Sequence, residues 1–153
     1  MIICGFAGTG KSTAAKKIPG VVDLESTPFQ KDWETYVRVA KHMSDNGYIV
    51  LLSCHQALRD ELKRQGISYH VVVPDKCQKD EYRKRYETRG NTPEFIKLQM
   101  DHWDDWVATN KGEFYTILDT TPSGHIENMT DLLDDVIRYG WDAFPNDPVG
   151  NEY

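Results

Sequence analysis

The chain of 153 residues contains only three cysteines, Cys4, Cys54 and Cys77. Their number is odd and no C-x-x-C spacing occurs, so neither a disulfide framework nor a zinc site is indicated, and a reducing cytoplasm is the expected compartment. Long apolar runs are also lacking: nothing approaches the roughly 20 residues that cross a bilayer, so no membrane association is expected. Ile2 and Ile3 lead straight into a glycine-rich motif, so no secretory leader is expected. Positive charge is short, with 18 Lys and Arg against 24 Asp and Glu and a formal net charge of −6. Extended, sequence-independent binding of nucleic acid needs a basic surface and is not expected. Repeats and low-complexity tracts are absent. What remains is an ordinary globular composition, 39% hydrophobic and 27% charged. A chain of this size holds one core, so 1–153 reads as a single domain with a frayed tail from about 145 to 153.

The most informative stretch is Gly5-Phe6-Ala7-Gly8-Thr9-Gly10-Lys11-Ser12, which fits G-x-x-x-x-G-K-[ST] at every fixed position. An apolar strand precedes it and the helix-compatible Ser12-Thr13-Ala14-Ala15-Lys16-Lys17 follows. Glycines let such a loop close around an anion with its N–H groups inward, and the helix N-terminus adds partial positive charge. Gly8, Thr9, Gly10, Lys11, Ser12 and Thr13 are therefore read as a nucleoside triphosphate site. In that site Lys11 reaches the β- and γ-phosphates and the Ser12 hydroxyl ligates Mg²⁺.

Beyond the loop, short apolar strands alternate with helical stretches, the pattern of βαβ units in a parallel sheet with ligands at the strands' carboxyl ends. Strands are expected at Ile2–Phe6, Val21–Glu25, Tyr48–Ser53, Tyr69–Val73 and Phe114–Leu118. Helices are expected from Ser12 to about Ile18, Lys31 to Asp45, His55 to Gln65 and Gln78 to about Thr88. Thr92-Pro93 begins another, Thr92 as N-cap and Pro93 at the first helical position. Its stripe of Ile96, Met100, Trp103, Trp106 and Val107 reads as core. A last helix carries Ile126, Met129, Leu132, Leu133, Val136 and Ile137 and ends at Gly140.

Three further constellations stand at element ends. Asp23 and Glu25 are spaced i and i+2 and so share one face of the second strand. Ser53-Cys54-His55 closes the third strand, with Arg59 one helical turn beyond His55. Arg83, Lys84, Arg85 and Arg89 precede Gly90-Asn91, with Arg85 and Arg89 at i and i+4. This order of elements, with Asp119-Thr120-Thr121-Pro122 after the fifth strand, resembles the nucleoside monophosphate kinase superfamily, especially its small gluconate- and shikimate-kinase-like branch, over roughly residues 1–140.

The resemblance implies a three-layer α/β P-loop kinase fold: a five-stranded parallel sheet, helices on both faces and a small helical lid at about 78–92. It also implies that Asp23 holds a water on Mg²⁺ and that Glu25, where the branch has Asp, orients or deprotonates an acceptor hydroxyl. Arg85 and Arg89 are the lid cations that meet the transferred phosphoryl group, and Thr121 and Pro122 pass beside the adenine. The same charges on residues 78–89 also read as a solvated helix face. His55 reads either as a helix-start residue or as a base, and Arg59 either as an acceptor ligand or as a surface cation.

The expected activity is ATP- and Mg²⁺-dependent phosphoryl transfer to a small acceptor, by a monomer or homodimer. A nucleoside or deoxynucleoside monophosphate is the favoured acceptor, because Phe29, Trp33 and Tyr36 are placed to wall a base and Arg38 and Arg59 to clamp a phosphate. A sugar-like or polynucleotide hydroxyl is the alternative. A regulatory ATPase is a third reading, opposed by the third strand's ending in Ser53-Cys54 where most P-loop proteins carry an acid.

Overall fold

Side chains along the central strands alternate between two cores, which is how a twisted sheet covered on both faces is written in sequence. Ile2, Cys4, Phe6, Val50, Leu52, Val71 and Val73 face one core, while Ile3, Leu51 and Val72 face the other. A computed structural model describes residues 1–109, 115–118 and 128–140. The strands are β1 (Ile2–Gly5), β2 (Val21–Asp23), β3 (Ile49–Leu52), β4 (His70–Pro74) and β5 (Tyr115–Leu118). They form a parallel five-stranded sheet in the order β2-β3-β1-β4-β5, with Cys4 opposite Leu52 on one side and Val71 on the other.

Helix α1 (Lys11–Lys17) and helix α7 (Met129–Tyr139) cover the second of these faces, burying Ala14, Met129, Leu132, Leu133 and Val136 against Ile3, Leu51 and Val72. The opposite face carries α2 (Trp33–Asp45), α3 (Gln56–Arg64), α4 (Lys79–Thr88), α5 (Pro93–Asp101) and α6 (Trp103–Thr109). Because the connection leaving β1 runs to one edge and that leaving β4 to the other, a crevice opens at the carboxyl end of β1. Among the described residues no helix is long and apolar enough to cross a membrane.

Three elements differ from the sequence reading. Strand β2 ends at Asp23, two residues early, so Glu25 stands in the turn after it and not on the strand face beside Asp23. Helix α2 begins at Trp33, not Lys31, because a short 3₁₀ turn over Thr27–Phe29 is followed by Gln30 and Lys31 with φ of 50° and 65°. Asp32 then caps the helix, accepting from the Thr35 N–H at 3.2 Å and the Thr35 hydroxyl at 2.8 Å. The apolar stripe from Ile96 to Val107 is split at His102 into α5 and α6. The break lets Trp103 enter the core, where its indole N–H donates to the Lys76 carbonyl at 2.9 Å and its ring meets Phe6 edge-on.

Candidate functional site

The P-loop joins β1 to α1 with Gly8 and Gly10 in left-handed conformations, φ 89° and 92°. Three consecutive carbonyls of the loop are anchored from outside it. Ala7 O accepts from the Tyr86 hydroxyl at 2.8 Å, Gly8 O from Arg85 Nη1 at 2.9 Å and Thr9 O from the Met129 N–H at 2.7 Å. Since C=O and N–H of one planar peptide unit point in opposite directions, this turns the amides of Gly8 and Gly10 toward the crevice. Thr9 faces the other way: it is fully buried, its hydroxyl donates to Phe6 O at 2.7 Å, and its side chain does not line the cleft.

That cleft has a volume of about 770 Å³. Gly8, Gly10, Lys11, Ser12 and Thr13 form its floor. Lys11 Nζ donates to Gly5 O at 2.7 Å, so the ammonium rests on the carbonyl at the start of its own loop. Burial pushes the Lys11 ammonium below its ordinary pKa, while Cys54 and Asp23 act in the other direction. Ser12 Oγ donates to Asp23 Oδ2 at 2.7 Å, bringing together the hydroxyl and the carboxylate that the sequence assigns to Mg²⁺. Hydroxyl and carboxylate oxygens suit a hard cation that keeps several waters and takes its remaining ligands from phosphates. Among the described residues there is no cluster of three or more His, Cys, Asp and Glu side chains able to hold a metal. Ser12 and Asp23 therefore fit Mg²⁺ held partly through a nucleotide, and not a metal caged by protein alone.

One wall runs along the end of β2 and the turn after it, from Asp23 through Leu24, Glu25 and Ser26 to Thr27, with Ser53 beside it. The opposite wall is α4, with Glu81, Lys84, Arg85, Thr88 and Arg89. The stretch expected as a lid is thus a helix docked on the P-loop. Its charges mask a buried edge: Tyr82 and Tyr86, one turn apart, are both fully buried. A Cβ on Gly8 would lie 3.0 Å from Tyr86 and 3.1 Å from Tyr82. Arg85 also lies over the Tyr82 ring at 4.5 Å and 3.5 Å from Glu81. Burial pushes the Tyr82 phenol up to about 12, with Arg85 opposing it. Arg89 is exposed at the end of the same face.

Three residues assigned to the acceptor do not line the cleft. Arg38 projects from the exposed face of α2, where it pairs with Glu34 at 2.5 Å, because its position in the helix is opposite the buried Tyr36, Val37 and Ala40. Arg59 is buried with 2% exposure on the inner face of α3 between Leu58 and Leu62, and its Nη2 donates to Gln56 Oε1 at 3.0 Å. The phosphate clamp expected of this pair is not assembled. His55 occupies the N-cap position of α3 without a side-chain cap bond, its ring 5.4 Å from Trp33. Partial burial pushes its imidazole down, and Lys11 and Lys31 act in the same direction. The aromatic trio does assemble, with Phe29 and Trp33 5.0 and 5.8 Å from Tyr36, but these rings pack on the core and are not cleft lining. Thr121 and Pro122 lie outside the described residues.

Sequence reasoning missed Tyr82, Tyr86 and Ser53. The i,i+4 tyrosine pair in an otherwise charged helix was the available signal for docking. For Ser53 the signal was its place as the first polar residue after the most apolar strand.

No family model matches the chain, and no curated protein matches it. Among solved structures it is similar to that of the Deinococcus radiodurans tunicamycin resistance protein, with a TM-score of 0.55 and 17% identity over 96% of this chain and 98% of that one. At this identity the likeness speaks for the fold alone, an α/β arrangement of a parallel sheet with helices on both faces.

Proposed function

We propose that the chain transfers the terminal phosphoryl group of ATP to a hydroxyl of a small organic molecule. The observation that carries the acceptor class is the make-up of the two walls. Among the described residues, the cations lining the cleft are Lys11 beneath and Lys84, Arg85 and Arg89 on α4, whereas Asp23 to Thr27 contribute two carboxylates, two hydroxyls and a leucine. A monophosphate seated on that side would set its charge against Asp23 and Glu25, with Arg38 and Arg59 turned elsewhere. A hydroxyl acceptor suits the same wall, because its proton must leave as phosphorus is attacked.

In this reading the amides of the P-loop and Lys11 bind the phosphates, Lys11 exchanging the Gly5 carbonyl for phosphate oxygen. Glu25 takes the proton of the acceptor hydroxyl, the acceptor oxygen bonds to the γ-phosphorus, and the bond from that phosphorus to the β–γ bridging oxygen breaks to release ADP. Arg85 and Arg89 meet the charge that spreads over the transferred oxygens. Mg²⁺, held by Ser12 and Asp23, would neutralise phosphate charge when bound.

The test is a coupled ADP-release screen over sugars, polyols, nucleosides, a single-stranded oligonucleotide and nucleoside monophosphates. Tunicamycin joins the panel because the similarly folded protein is a resistance protein for it. The expected result is stimulation by a hydroxyl compound and a loss of about 10²–10⁴-fold in kcat in Glu25→Gln. Stimulation by monophosphates alone, or a Glu25→Gln enzyme within threefold of wild type, would overturn the acceptor class.

A further inference from the structure

Ser53 follows β3, and β3 lies between β2, which ends in Asp23, and β1, which runs into the P-loop. Its side chain therefore stands where the metal-binding pair and the phosphate loop converge, and it lines the cleft. Its hydroxyl oxygen is buried and has no hydrogen-bond partner. Buried hydroxyls are rarely left unsatisfied in native proteins, and those that are call for an explanation.

Hydrogen bonds around Leu24 hold the end of β2 in place against that of β3. Tyr36, fully buried on α2, donates its phenol to the Leu24 carbonyl at 2.5 Å, between Asp23 and Glu25 in the chain. The Leu24 N–H donates to Leu51 O at 3.0 Å, which ties the ends of β2 and β3 together beside Ser53.

The geometry points to Ser53 as a positioning residue of the metal site, its hydroxyl accepting a hydrogen bond from a water of the divalent cation that Ser12 and Asp23 would hold. The inference rests on the nucleotide-binding reading above. A cation of this type keeps most of its waters when it is bound through one or two protein oxygens and phosphates. Those waters donate hydrogen bonds, and the groups that receive them orient the ion. Asp23 supplies one acceptor and Ser53 Oγ a second. A hydroxyl accepts such a bond without taking the proton, so it steadies the water without turning it into a nucleophile. That property suits a transferase, in which water attack on phosphorus is a wasteful side reaction.

The experiment uses Mn²⁺ and ADP as probes on the full chain, with free Mn²⁺ followed by electron paramagnetic resonance. Wild type is expected to bind Mn²⁺ together with ADP. Ser53→Ala should weaken Mn²⁺ binding to the protein–ADP complex by about 3- to 10-fold, the worth of one neutral hydrogen bond. Its affinity for ADP in EDTA should be unchanged. Thermal unfolding of the ligand-free proteins supplies a second readout, because removing an unsatisfied hydroxyl should leave Tm equal or raise it by about 2–4 °C. Equal Mn²⁺ affinity in the two proteins would overturn the assignment. So would a fall in ligand-free Tm, which would mean that the hydroxyl already has a structural partner, or a rise in acceptor KM alone, which would move Ser53 to the acceptor. Failure of wild type to bind Mn²⁺ and ADP at all would overturn the nucleotide reading itself.

Discussion

Replacing Gly8 by alanine tests whether α4 is clamped onto the phosphate loop. The backbone there has φ of 89°, where a residue with a Cβ costs about 1–2 kcal/mol. The new methyl would stand 3.0 Å from Tyr86 Cε1 and 3.1 Å from Tyr82 Cδ2, closer than ordinary carbon contacts. Neither ring has an easy retreat, since Tyr82 packs against Trp103 at 5.4 Å and Tyr86 against Phe95 at 5.5 Å. Overpacking of this kind costs about 1–3 kcal/mol more. In a domain of this length each kcal/mol moves Tm by about 2–4 °C, so Gly8→Ala should lower Tm by roughly 5–15 °C. Gly20→Ala is the internal control: φ is 83° but the space around it is open, leaving only the backbone cost and a fall of roughly 2–8 °C. The assay is thermal and urea unfolding of both variants, with a Tyr86→Ala background in which the excess at Gly8 should shrink. Equal destabilisation by the two alanines would refute the clamp and return α4 to a free lid.

Other outcomes follow from the same geometry. Lys11→Ala should keep the fold and lose about 10²–10³-fold in kcat in steady-state assays, because the ammonium acts on charge that develops in transfer. Arg85→Ala should lower both Tm and kcat, since its guanidinium holds the Gly8 carbonyl, whereas the exposed Arg89→Ala should lower kcat with Tm unmoved; the reverse pattern in paired melting and kinetic measurements would exchange their roles. Burial, with the Met1 ammonium second, holds the His70 pKa below its ordinary value of 6.5. The unfolded chain therefore binds this proton first, and the associated stability is present above about pH 6.5 and lost as pH falls toward the lower folded value, at up to about 1.4 kcal/mol per pH unit. His70→Asn should flatten that acid limb in urea titrations between pH 7 and 5.

Much of the architecture was legible because it rests on local and periodic signals. Short continuous apolar runs placed β1, β3 and β4, and Pro93 after Thr92 marked the start of α5, where the Thr92 hydroxyl accepts from the Phe95 N–H at 3.1 Å. The floor of the cleft was legible for a related reason: the loop's conformational demands are met by its own glycines. The acceptor side was not, because it depends on which way a helix is rotated. Arg38 and Arg59 are both chemically suited to a phosphate, and only the packing of Tyr36 and Leu58 decides that one faces water and the other the interior. The tyrosines of α4 were obscured by their neighbours' charges, although a residue's burial is set by its face and not by the mean polarity of its helix.

The anchoring of the P-loop carbonyls also orders events in time. The loop spans only Gly5 to Ser12, yet its carbonyls at Ala7 and Gly8 are held by residues 79 and 77 positions away, and that at Thr9 by Met129. Contacts of such long sequence separation form late, after the entropy of closing the intervening chain has been overcome. During synthesis, therefore, the loop leaves the ribosome well before the residues that give it its native shape. A partly made chain can pair β1 with β3, but the loop lacks its Thr9 anchor until the opening of α7 has been translated. Nucleotide capture by nascent chains of graded length should accordingly begin abruptly, once residues near 129 have emerged, and not in step with the growth of the sheet.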